Sequence, residues 1–204
     1  FNGDRRRHRQ VGIRAHADVV GGRLGAWPVQ ALALAHGELQ PPAAQAAGAD
    51  VTLVSGPVEL RDPAGVTVIR VESARDMLHR VEAALPADIA IFAAAVADWR
   101  VANEGEQKLK KTSAGMPPLQ LVENPDILAT ISKLQDKRPP LVIGFAAETE
   151  HLIHNAKAKI ARKGCDWIVA NDVSPATGVM GGDRNTVHLL TRDGKDIGVD
   201  DIKV

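Results

Sequence analysis

From Asp88 to Val96 the chain is almost unbroken apolar sequence, Asp-Ile-Ala-Ile-Phe-Ala-Ala-Ala-Val, bracketed by Pro86 and Asp98. A strand with one wet face alternates polar and apolar residues, whereas one that is apolar at every position must be covered on both faces. That is the situation of a central strand in a parallel sheet. The run is far shorter than the roughly 18 residues a membrane-crossing helix needs, and no other apolar run approaches that length.

The flanking text agrees with such a sheet. Short β-branched runs alternate with helical stretches from Gly48 onward, the pattern of βαβ units. Val51–Val54 and Val66–Val71 read as strands. Ser73 then caps a helix, with Asp76 three positions on and Met77, Val81, Ala84 and Leu85 along one face, before Pro86 stops it. Leu119–Val122 reads as a short strand, and Asn124 as the cap of a helix from Pro125 to Leu134. Leu141–Phe145 is a further buried strand, Glu150–Lys163 a helix closed by Gly164, and Trp167–Ala170 another strand. Thr186–Leu190 and Ile197–Val199, joined through Arg192-Asp193-Gly194, read as an antiparallel hairpin. The expected fold is therefore α/β, Rossmann-like, a mainly parallel three-layer sheet with a C-terminal antiparallel hairpin. Residues 1–47 show no clear period and stay unassigned, with at most a helix over Val29–Leu39, and the regular domain is set at 48–204.

Composition narrows the functional classes. In 204 residues, 25 basic and 25 acidic side chains cancel, so no net field attracts nucleic acid or an anionic membrane. One cysteine, Cys165, excludes an internal disulfide framework and a cysteine-rich zinc site, and the expected compartment is the cytoplasm. The seven histidines form no HExxH. Neither the GxGxxG dinucleotide fingerprint nor the GxxxxGK[ST] phosphate loop is present, and Ser55 lacks the context of a hydrolase nucleophile. A nicotinamide oxidoreductase of the short-chain type would need a Tyr-x-x-x-Lys pair, and the chain has no tyrosine.

Ligands of an open parallel sheet gather where its strands end. Four apolar runs release the chain into Ala97-Asp98-Trp99, Asn124-Pro125-Asp126, Ala146-Ala147-Glu148-Thr149 and Asn171-Asp172-Val173. Small residues there admit a ligand to the backbone, and carboxylates and amides orient it or hold a hard cation; Asp and Asn are also ordinary turn and cap residues. No lysine occurs before residue 108, yet Lys108, Lys110 and Lys111 fall within four positions, in a segment too polar for the core. Lys159 and Lys163 are neighbours on one helix face, where like charges repel by roughly 0.2–0.5 kcal/mol. A charge run is ordinarily a solvated surface, but two separate basic features are what a polyphosphate would require.

These segments resemble, in order and spacing, one family: Ala93-Ala-Ala-Val-Ala-Asp98-Trp99, Lys108-Leu-Lys-Lys111, Asn124-Pro-Asp-Ile-Leu128, Gly144-Phe-Ala-Ala-Glu-Thr149 and Ala170-Asn-Asp-Val173. The family is the phosphopantothenate–cysteine ligase domain, in bacteria usually the C-terminal half of the bifunctional coenzyme A biosynthesis flavoprotein. The resemblance implies a homodimer and a CTP-dependent, Mg2+-assisted ligation of 4'-phosphopantothenate with L-cysteine through an acyl-cytidylate. Carried over by motif, Ala94 and Asp98 line the nucleotide site with Asp98 placed for the metal. Lys108 lies on a mobile flap over the phosphates and is the catalytic residue. Pro125, Asp126 and Ile127 meet the base, Phe145 packs against it, Lys159 and Lys163 complete the cationic wall, and Asn171 contacts substrate. The flavin-binding decarboxylase half is not in this sequence, so no flavin is implied, while a phosphopantothenoylcysteine decarboxylase partner is.

The resemblance covers about residues 48–199. Ahead of it the family has a first strand, a glycine turn and an Asn-x-Ser-Ser-Gly segment that binds phosphates, and none of these is legible in residues 1–47. The Arg, Ala, Gly, Gln and Pro bias there is that of GC-rich coding sequence read out of frame. The alternative implied is a nucleotide-binding or dimerising remnant that has lost its first strand and catalyses nothing.

Overall fold

The computed structural model describes residues 30–34, 44–102, 119–174 and 184–203. Its centre is a strand that the sequence hides. β1 (Gln30–Leu34) pairs in parallel with β2 (Asp50–Ser55) on one side and β4 (Ile89–Phe92) on the other, so that Leu34 stands opposite both Val54 and Phe92. The expected helix over Val29–Leu39 and the expected loss of a first strand are both corrected here. Ala and Leu are the best helix formers, but a segment with a parallel neighbour on each side takes the strand that satisfies its backbone groups.

β3 (Val66–Arg70) extends the sheet beyond β2. β7 (Leu141–Glu148) and β8 (Trp167–Asp172) extend it beyond β4, all in parallel. The hairpin of β9 (Arg184–Thr191) and β10 (Asp196–Lys203) then closes the far side antiparallel, as its turn residues predict. The resulting order, β10-β9-β8-β7-β4-β1-β2-β3, is that of a Rossmann-like doubly wound sheet.

Three helices pack on one face: α1 (Ala74–Ala83), α2 (Ile127–Ser132) and α3 (Leu152–Lys163). Met77 and Val81, Ile127 and Ile131, and Ala156 and Ile160 join Val54, Ala90, Phe92, Val142, Ala146, Ile168 and Ala170 in one buried cluster. Each buried aliphatic contributes about 1.5–3 kcal/mol relative to exposure, which makes this cluster the chief source of stability. On the opposite face Ala44 packs against Val51, and Ala33 against Leu53. At α1 the Ser73 hydroxyl accepts the Asp76 N–H at 3.1 Å, the cap that the sequence indicates.

Two further corrections concern the connection from β4 to β7. Leu119–Val122 does not add to the main sheet: the strand there is β6 (Leu121–Glu123), and it pairs antiparallel with β5 (Trp99–Val101) as a separate ribbon. The cap of α2 is Asp126, not Asn124, and the helix is shorter than expected. Asn124 is committed elsewhere, its side-chain amide donating to the Ala97 carbonyl at 2.8 Å. Among the described residues no helix is long and apolar enough to cross a membrane.

Candidate functional site

From β1 the chain winds outward through β2 and β3, then returns to β4 on β1's other side, so the winding reverses between the carboxyl ends of β1 and β4. That is where an open α/β sheet opens a crevice. The segment following β4 lies at this point. Ala94 is half-buried against the main core and Asp98 is exposed. The Asn124 N–H donates to the Asp98 carbonyl at 2.7 Å, and with the Asn124 to Ala97 bond this ties the turn after β6 directly to the turn after β4. Arg100 donates from the ribbon to the Glu123 carbonyl. Ala94, Asp98, Asn124, Pro125 and Asp126 are thereby joined along one rim.

Asp126 begins the next turn of the site. Its carboxylate accepts the Ala129 N–H at 3.0 Å as the α2 cap and also takes the Lys163 ammonium in an ion pair. Partial burial opposes its ionisation, but the Lys163 ammonium, the Ala129 N–H and the Arg162 charge outweigh it and hold the carboxyl below its usual range. Ile127 is buried beneath, and Pro125 is half-buried. Gly144 on β7 favours this position: a Cβ there would come within 2.6 Å of Leu128 Cδ2 and 2.9 Å of Ile168 Cδ1, so a larger residue would force those side chains to shift. The glycine of the Gly-Phe-Ala-Ala-Glu-Thr motif thus acts through packing.

Asn155, Lys159 and Lys163 recur every four residues and form one stripe of α3. Facing it at the end of β7 is Glu148, whose Oε2 accepts from Asn155 Nδ2 at 3.1 Å; the same amide reaches the Glu150 carbonyl at 3.0 Å. Burial pushes the Lys159 ammonium below its usual pKa, Lys163 and Arg162 add repulsion, and the Glu148 carboxylate and Cys165 pull the other way. A cation held against its own repulsion and partial desolvation binds an incoming anion strongly, because that anion relieves both. Cys165 itself is buried, its thiol pushed up to about 11 chiefly by desolvation, and it is inert.

The structure divides the candidates between two faces. Gly144 and Ala146 face the helices, so strand alternation turns Phe145 to the opposite face. Asn171, beside the buried Ala170 of the helix-side cluster, likewise lies on the far face. Phe145 and Asn171 therefore do not join Asp126, Lys159 and Lys163 on one wall; a ligand must cross the sheet edge to meet both groups. Lys108, with Lys110 and Lys111, lies outside the described residues.

Sequence reasoning missed Glu148 and Asn155 as a unit, and it missed a groove of about 410 Å³ between α1 and the ribbon, lined by Arg75, His79, Glu82, Arg100, Asn124 and Pro125 among others. The spacing of Arg75, His79 and Glu82 on α1 was the available signal, but it is also that of any solvated helix face. Among the described residues no group of three or more His, Cys, Asp or Glu could hold a metal ion. A lone exposed carboxylate such as Asp98 suits Mg2+, which takes one or two carboxylates and otherwise rides on substrate phosphates and water.

The comparisons with known proteins follow the same outline. The pattern of the DNA/pantothenate metabolism flavoprotein C-terminal domain matches residues 36–203. The chain is 44% identical over 155 residues to the coenzyme A biosynthesis bifunctional protein CoaBC of Vibrio parahaemolyticus, covering 75% of this chain and 39% of that protein. It is also 44% identical over 155 residues to CoaBC of Escherichia coli, covering 74% and 38%. The chain thus spans about two fifths of the length of the curated relatives it matches. Among solved structures, the C-terminal domain of a coenzyme A biosynthesis bifunctional protein CoaBC superposes with a TM-score of 0.65 at 31% identity, over 84% of this chain and 85% of that one.

Proposed function

The chain belongs to the family of the DNA/pantothenate metabolism flavoprotein C-terminal domain, and from that membership we propose that it ligates 4'-phosphopantothenate to L-cysteine at the expense of CTP. The observation that carries this reading is the pair of α3 lysines, one half-buried against like charge and one held by the Asp126 cap of α2, with the Asn124 turn before that cap hydrogen-bonded to Asp98.

In the proposed reaction the phosphopantothenate carboxylate attacks the α-phosphorus of CTP and pyrophosphate leaves, giving an acyl-cytidylate. The cysteine amine then attacks the acyl carbon, CMP leaves and the amine proton is lost to solvent. A carboxylate is a weak nucleophile, and phosphate charge repels it, so the protein's task is to neutralise charge as it builds on the leaving pyrophosphate. Lys159 meets that charge directly. Lys163 does so by exchanging the Asp126 carboxylate for a phosphate oxygen, and Lys108 is the catalytic lysine of this reading. Asp98 would hold Mg2+, which supplies Lewis-acid neutralisation of the phosphates when bound. Pro125, Asp126 and Ile127 present the α2 turn to the base, Phe145 packs on it from across the sheet edge, and Asn171 orients the acyl substrate.

The proposal includes a homodimer. Trp99 and Leu121 share one face of the β5–β6 ribbon, and with Leu119 they are 55–56% exposed; an apolar patch of that kind marks a surface that is covered in the assembly. It also includes a phosphopantothenoylcysteine decarboxylase partner, fused or separate, in keeping with the word bifunctional in the relatives' names. The test is to incubate the chain with CTP, Mg2+, 4'-phosphopantothenate and cysteine while following pyrophosphate and the ligated product. CTP-dependent product that disappears in Lys108→Ala supports the ligase. CTP binding without turnover points to the remnant instead.

A further inference from the structure

The two turns that Asn124 joins are anchored unequally. On one side Ile127 is buried and Asp126 caps α2, so the Pro125–Asp126 turn is fixed by the helix behind it. On the other side the chain leaves β4 at Ala93 and reaches Asp98 without helix or strand. Ala94 and Val96 pack partly against the main core, but Ala97 and Asp98 are exposed. Both are held through Asn124. Its N–H donates to the Asp98 carbonyl at 2.7 Å, a main-chain bond that survives any replacement except proline. Its side-chain Nδ2 donates to the Ala97 carbonyl at 2.8 Å, which carries the pairing of the ribbon past the Trp99 to Glu123 step where its ladder ends. Arg100 braces the strand before it through the Glu123 carbonyl; its approach to Asn124 Oδ1, at 3.5 Å, is too long to add much. An ordinary turn asparagine bonds its own main chain two residues on. This one reaches back 27 positions.

We propose that Asn124 is a positioning residue that holds the Ala97–Asp98 turn in register with the Pro125–Asp126 turn, so that a nucleoside triphosphate meets both at once. This rests on the CTP-dependent reading above and deepens it: in that reading the Pro125 to Ile127 turn meets the base, and the segment bearing Ala94 and Asp98 meets the phosphate end with its cation. Without the side-chain amide the Pro125 turn keeps its place, because α2 still anchors it. Ala97 and Asp98, exposed and one hydrogen bond poorer, sample more positions. A ligand that touches the base turn alone then loses nothing, whereas one that spans both turns must first restrict the looser of them and binds more weakly. An Asn124 that merely supported the fold would weaken both ligands alike.

The test uses the full chain with Mg2+ and compares CTP with CMP, which keeps the base and sheds the two outer phosphates, each measured by titration calorimetry. In Asn124→Ala the affinity for CTP falls about five-fold, the size of one net intramolecular hydrogen bond, while that for CMP is unchanged. Asn124→Ser, which keeps a shorter donor, gives the same contrast to a smaller degree and serves in place of the alanine should that variant fold poorly. Backbone amide relaxation of the free chain is an independent readout: order parameters fall at Ala97 and Asp98 and hold at Ala129 in the α2 cap. Equal weakening of CTP and CMP, no weakening of either, or order parameters unmoved at Ala97 and Asp98 overturns the role of Asn124 and leaves the ligase reading standing. A wild-type chain that binds no CTP overturns that reading, and this proposal with it.

Discussion

The α3 helix has a charged cluster at each end of the sheet it covers, and the two are built in opposite ways. At the base, where strands enter, Asp166 accepts from Arg138 at 2.9 Å, from Arg192 at 3.3 Å and from the Val142 N–H at 2.8 Å. The same arginines donate to main-chain carbonyls: Arg138 to Ser132 and Pro139 at 2.7 and 2.8 Å, Arg192 to Cys165 at 3.2 Å and to Gly164. These include carbonyls at the ends of α2 and α3, which have no partner within their helices. Further along α3, Lys163 pairs with a single carboxylate, Asp126, and Lys159 has none within ion-pair distance among the described residues. The base uses planar, always-charged guanidiniums to finish the backbone, while the rim uses flexible ammoniums whose protonation responds to their surroundings. The first cluster is completed by the fold, while the second is the one we propose meets the phosphates of a nucleotide.

If that distinction holds, substitutions at the base cost stability and those at the rim cost affinity. The largest loss is expected for Asp166→Ala, which leaves the partly buried Arg138 and the exposed Arg192 without their shared carboxylate and the Val142 N–H without its acceptor. We expect about 2–3 kcal/mol by denaturant titration, below the figure for a fully buried pair because the cluster is partly wet. Gly144→Ala, which drives Leu128 and Ile168 apart, should cost about 1–3 kcal/mol. It should also weaken CTP binding, because the Asp126 turn moves with α2; an alanine that lowers stability but leaves affinity intact would show that the turn is not part of the site.

Much of this difference was open to the sequence and some was not. Hydrophobic periodicity marked β2, β3, α1, β7, α3, β8 and the hairpin, because each carries a run long enough for its period to show. β1 escaped because Gln-Ala-Leu-Ala-Leu is a helical pentapeptide by propensity and becomes a strand only through its neighbours. The ribbon escaped because three-residue strands have almost no period. Of the site, the motif residues were readable, but the Lys163 to Asp126 pair spans 37 positions and the Asn155 anchor of Glu148 depends on where β7 ends. Long-range pairings of polar groups leave no local trace in a chain.

Smaller effects sharpen the contrast. The Ser132 hydroxyl is buried with no hydrogen-bond partner, so Ser132→Ala should be neutral or stabilising by up to about 1 kcal/mol, read from the denaturation midpoint. Asp126 has a folded-state pKa below its unfolded value. Its contribution is therefore present above the unfolded carboxyl pKa of about 3.9 and is lost as pH falls through the folded value. Asp126→Asn should flatten the acid side of the stability profile, measured as melting temperature against pH, lowering the melting temperature at neutral pH and converging on the wild type as pH falls toward about 2.

The most direct test of the central claim pairs two readouts on Lys159→Met. Because the fold holds this ammonium against burial and like charge, removing it should raise the melting temperature by about 1–2 °C, while calorimetry with CTP and Mg2+ should show at least about a tenfold loss of affinity relative to wild type. Unchanged CTP affinity together with a lower melting temperature would contradict the account, making Lys159 a structural cation like those at the base.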